Sequence, residues 1–117
     1  MKLTKGEILA LQHRIEVPEC IFESIGRGDS WTEIDYEFDR AIDNVSTQME
    51  RGYVVTEALS DLEKQILGDC LDCGTYWQCH EIESSQKRAA VEKIGWNLVD
   101  KFEANGIPVC RDLLIFR

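Results

Sequence analysis

With 117 residues, 22 acidic and 13 basic side chains and a net charge of −9, the chain suits one domain, residues 1–117, that buries a core without disulfide staples. An apolar fraction of 44% and two prolines argue against disorder or low complexity. No apolar run reaches membrane-spanning length and no secretory pattern opens the sequence, so a cytoplasmic protein that does not touch membranes is expected.

Taken in chain order, Thr4 with Glu7 forms a capping box that opens a helix running to about Glu16. Pro18 interrupts it and opens a short helix ending near Gly26. Ser30 and Glu33 repeat the box ahead of Trp31, Ile34, Phe38, Ile42, Val45 and Met49. Their spacing of three and four predicts a helix over 31–51, closed by Gly52. Tyr53-Val54-Val55 reads as a short strand. Ser60 and Glu63 then cap a helix over 61–73, with Leu62, Ile66, Cys70 and Cys73 on one face and Gly74 at its end.

Thr75 and Gln78 open a last helix reaching Asn105-Gly106, continuous or broken at Ser84-Ser85. Its core stripe is Val91, Ile94, Leu98 and Phe102. Trp96 falls out of that phase, and is expected over the C-terminal tail or in a homodimer or partner contact. Leu113-Leu114-Ile115-Phe116 demands burial, as a packed tail or a strand beside Tyr53–Val55. The fold class is therefore mainly α, a compact bundle of four to five helices with a packed C-terminal tail.

The charge is concentrated. Residues 29–83 carry fourteen acidic and three basic side chains, a net of −11, whereas 1–28 are balanced and 84–117 are slightly basic. Such a field repels nucleic acid and anionic membrane and favours a basic protein surface. On a helical wheel of about 100° per residue starting at Trp31, the apolar stripe spans roughly 300° to 20°. Glu33, Asp35, Glu37, Asp39, Asp43 and Glu50 cover the opposite side, with Tyr36 among them near 140°. Tyr in a charged field is the signature of an interface anchor; a solvated face with one exposed Tyr has the same pattern. The candidate partner-binding residues are Glu33, Asp35, Tyr36, Glu37, Asp39 and Asp43. Carboxylates at i to i+4 spacing also resemble the charge row of a nucleic-acid backbone.

Five cysteines cannot all pair within the chain, and reduced thiols serve packing or metal. Cys70 and Cys73, with Cys79 or His80 and Cys110, supply the residue types of a structural zinc site. The competing reading, no cofactor, has Cys70 and Cys73 buried as free thiols on an apolar face. Cys79-His80 is the sole hint of thiol catalysis, and adjacent helical residues point about 100° apart. No phosphate loop, dinucleotide fingerprint or hydrolase motif occurs. No catalytic residue is assigned, and the expectation is not an enzyme.

The stretch Leu59-Ser60-Asp61-Leu62-Glu63 to Asp69-Cys70, then Gly74-Thr75-Tyr76-Trp77, resembles a segment of small uncharacterised bacteriophage and prophage proteins. The resemblance implies a protein that occupies a host protein, including defence complexes that bind nucleic acid. The reading is a non-enzymatic inhibitor or regulator acting through an acidic helix, with the zinc module as the alternative.

Overall fold

The computed structural model describes residues 1–27, 35–72 and 85–109, and these are mainly helical. Thr4 accepts the Glu7 amide while the Glu7 carboxylate accepts the Thr4 amide, so the predicted capping box starts α1 (Lys5–Ile15). Pro18 opens α2 (Pro18–Ser24). This helix ends in a Schellman turn, in which Arg27 N–H reaches the Phe22 carbonyl and Gly26 N–H that of Glu23. Gly26 takes the positive φ the turn requires.

The third helix departs from expectation. Asp35 is extended, at φ −110° and ψ 95°, and its carboxylate accepts the Phe38 amide. The helix therefore starts at Tyr36 as α3 (Tyr36–Glu50) and cannot run unbroken from residue 31. An Asp side chain that satisfies an orphan amide competes with helix continuation at its own position. Ser30, Trp31, Glu33 and Ile34 lie outside the described residues.

Tyr53 forms an isolated antiparallel bridge with Lys2, so the predicted strand at Tyr53–Val55 is reduced to one rung against the N-terminal segment. A single 3₁₀ turn, Thr56–Ala58, leads to α4 (Asp61–Asp72). The Ser60–Glu63 box is present in both directions. The last described helix is α5 (Ser85–Ala104). It closes in a Schellman turn at Gly106, with Ile107 N–H on the Phe102 carbonyl and both side chains buried. The predicted tail from Cys110 onward, including Leu113–Phe116, lies outside the described residues.

Packing centres on α1 and α4, which meet each other and both meet α2, α3 and α5. α3 packs chiefly on α4 and α1, while α5 packs on α1 and α4. The core draws on every described helix, through Leu11, Ile21, Phe38, Val45, Met49, Ile66, Leu67, Leu98 and Phe102. Phe22 and Phe38 meet edge to face, 5.1 Å between centroids, which adds about 0.5–1.5 kcal/mol to their burial. Gly68 lets the Pro108 backbone cross α4, since a Cβ there would lie 2.4 Å from the Pro108 carbonyl oxygen. Trp96 is partly buried against the core.

Phe38 has no exposed surface, whereas Tyr36 is 76% exposed. Phe38→Ala should cost ~3–5 kcal/mol and Tyr36→Ala less than about 0.5 kcal/mol in urea unfolding. Equal losses would mean that α3 is rotated from this phase.

Candidate functional site

The fold turns α3 into three surfaces. Counting about 100° per residue from Tyr36, the buried Phe38, Ala41, Val45 and Met49 fall at roughly 140° to 220°, opposite Tyr36. Asp39, Asp43 and Glu50 lie on one flank at roughly 300° to 340°, and Glu37, Arg40 and Asn44 on the other at roughly 40° to 100°. The residues of both flanks are exposed. Among the described residues, Asp39, Asp43 and Glu50 join no salt bridge.

Of the sequence-derived candidates, Tyr36, Glu37, Asp39 and Asp43 are thus brought together on one exposed helix, and Glu33 lies outside the described residues. Asp35 is half-buried and has a structural task. One carboxylate oxygen caps Phe38, and the other meets Arg27 Nη2 at 2.6 Å and Nε at 2.7 Å. The Phe38 amide holds this carboxyl below the usual range; burial opposes that, and the Arg27 hydrogen bond and charge reinforce it. Arg27 reaches Glu37 as well, at 3.4 Å. It therefore ties the end of α2 to the start of α3, and Asp35 is committed to the fold.

Beside the Glu37 flank, α3 and α4 enclose a groove of about 430 Å³ lined by Glu37, Arg40, Ala41, Asn44, Ser60, Leu62 and Glu63. Burial alone would raise the Glu63 pKa, but hydrogen bonds from Asn44 and then Ser60 outweigh it and hold the carboxyl below its ordinary value.

The interior holds charges that sequence reasoning missed. Arg14 Nε donates to Asp69 at 3.2 Å, and Ser24 donates to the other Asp69 oxygen. Glu7 Oε1 accepts from Lys101 Nζ at 2.6 Å, while Oε2 is buried with no hydrogen-bond partner. A signal existed for the first pair. Arg14 follows Leu11 by three positions and Asp69 follows Ile66 by three, which puts both charges on core-facing stripes.

Cys70 is fully buried in the core. Burial pushes its thiol pKa up, Asp69's charge adds to this, and Arg14 opposes it. Cys73, Cys79, His80 and Cys110, the other members of the proposed zinc set, lie outside the described residues.

What fold and surface define is a mainly helical protein with an exposed, largely unpaired acidic helix and a groove along one of its flanks. Among the described residues no helix is long and apolar enough to cross a membrane. Comparison with known proteins found no matching family model, no similar curated protein and no similar solved structure.

Because the folded-state pKa of Glu63 is depressed, its contribution to stability is present above about pH 4.5 and is lost as pH falls through the folded value. Glu63→Gln should lower stability at pH 7 by roughly 0.5–1.5 kcal/mol, with the gap to the parent narrowing below about pH 4.5. Parallel urea midpoints for the two proteins across pH 3–7 would reject this role. In native thiol labelling read by peptide mass, half-buried Cys20 should react and Cys70 should stay protected until the chain unfolds. Equal labelling rates would contradict the burial of Cys70.

Proposed function

We propose that this is a non-enzymatic binding protein that inhibits or regulates a basic partner protein through the exposed face of α3. The observation that carries the reading is Tyr36, 76% exposed on the side of α3 opposite the core, with Asp39 and Asp43 beside it and Glu50 at the far end of the same flank, none of which pairs with a cation among the described residues. Unpaired carboxylates supply long-range attraction and fix orientation, whereas the Tyr ring supplies desolvated contact area at low entropic cost. The charge excess of residues 29–83 supports the same partner chemistry.

A finer reading is that the row mimics nucleic-acid charge and so occupies a nucleic-acid-binding host complex. Asp39 and Asp43, one helical turn apart, stand roughly 5–6 Å from each other at the Cβ level, a spacing that supports this reading.

The test is affinity capture with the wild-type protein, with an Asp39→Lys, Asp43→Lys, Glu50→Lys variant and with Tyr36→Ala, each checked for unchanged helicity. Asp35 is left intact because it caps α3. Capture of basic proteins that is lost on charge reversal, weakened by Tyr36→Ala and released by salt is expected. A captured set that is the same for parent and reversed variant sinks the proposal.

A further inference from the structure

Glu63 is only 9% exposed, yet among the described residues its carboxylate meets no cation. Its partners are the side-chain amide of Asn44 and the backbone amide of Ser60, both neutral. Buried carboxylates ordinarily carry a counter-charge. Glu63 lines the α3–α4 groove, whose floor is Ala41 and Leu62 and whose rim carries Glu37 and Arg40. The Glu37 carboxylate is exposed and held only at 3.4 Å by Arg27.

We infer that this groove takes an arginine side chain from a basic partner segment, its aliphatic stem over Ala41 and Leu62 and its guanidinium on the Glu63 carboxylate, with the Glu37 charge adding attraction at the rim. The inference rests on the basic-partner reading and gives that partner an address distinct from the Asp39–Asp43–Glu50 flank. Each Glu63 oxygen accepts one bond within the fold and keeps capacity for another. A planar guanidinium presents two parallel donors to one carboxylate and loses less hydration on burial than an ammonium, so arginine is favoured over lysine. Arg40, at the rim, repels the incoming cation and tunes the site downward.

The probes are fluorescent Arg-Gly and Lys-Gly repeat peptides of equal length, read by anisotropy at low and physiological salt. The Arg peptide should bind about tenfold tighter than the Lys peptide, reflecting the geometric difference between the two cations. Arg40→Ala should tighten binding about threefold by removing like-charge repulsion. Asn44→Arg, which sets a guanidinium beside Glu63, should weaken it about tenfold, whereas Asp39→Lys, a larger charge change on the other flank, should weaken it less than threefold. Amide shifts of the wild-type protein should concentrate at Ala41, Asn44, Ser60 and Glu63, a readout that holds even if Asn44→Arg fails to fold. Equal binding of the two peptides, shifts centred on Asp39, Asp43 and Glu50, or a greater loss from Asp39→Lys would overturn the groove while leaving the acidic-face proposal intact. That proposal fails only on its own capture experiment.

Discussion

The buried ion pair between Arg14 and Asp69 sets the constraint around which the other helices are arranged. It joins α1 to α4, the two helices that every other described helix packs against, and the Ser24 hydroxyl brings the end of α2 to the same carboxylate. Against well-packed apolar residues such a pair gains little stability, since desolvation offsets much of its attraction. Losing one partner, however, leaves a buried charge uncompensated, at a cost of about 3–5 kcal/mol. Its consequence here is specificity of arrangement. A sliding or rotation of α1 on α4 that would be tolerable to Leu11, Ile66 and Leu67 would separate the two charges.

Two local motifs have been extended into tertiary links. In each capping box the glutamate accepts the backbone amide of its own N-cap, and it then reaches a second helix: Glu7 is met by Lys101 of α5 and Glu63 by Asn44 of α3. The start of a helix and its docking are thus coupled through one carboxylate. The two links differ in charge balance. Glu7 is paired with an ammonium, whereas Glu63 is held in its charged form by neutral donors at the edge of a groove.

The same economy of side chains governs α3. Its core face fixes its rotation, Asp35 and Arg27 fix its starting point, and what remains outward is Tyr36 between an acidic flank and the groove flank. Because the outward residues take little part in holding the fold, their charge and the Tyr ring can serve recognition with small effect on stability.

The sequence by itself determined the helices, because capping boxes, positive-φ glycines and three-to-four spacing act within a few residues of chain. Thr4–Glu7, Ser60–Glu63, Gly52 and the phase that buries Phe38 and exposes Tyr36 were all legible. Only the tertiary structure decided where α3 begins, because the Arg27 that helps to hold Asp35 lies eight positions away and the Ser30–Glu33 pattern is locally as good a cap. It also decided which charges are interior. Arg14 and Asp69 are separated by 55 positions, and no local rule reveals that two core-facing charges will find each other. The candidate site divides the same way: the acidic face was readable as a helical period, but the groove needed Ala41 and Leu62, Asn44 and Glu63 to meet across two helices, and helix packing, unlike helix formation, depends on contacts distant in sequence.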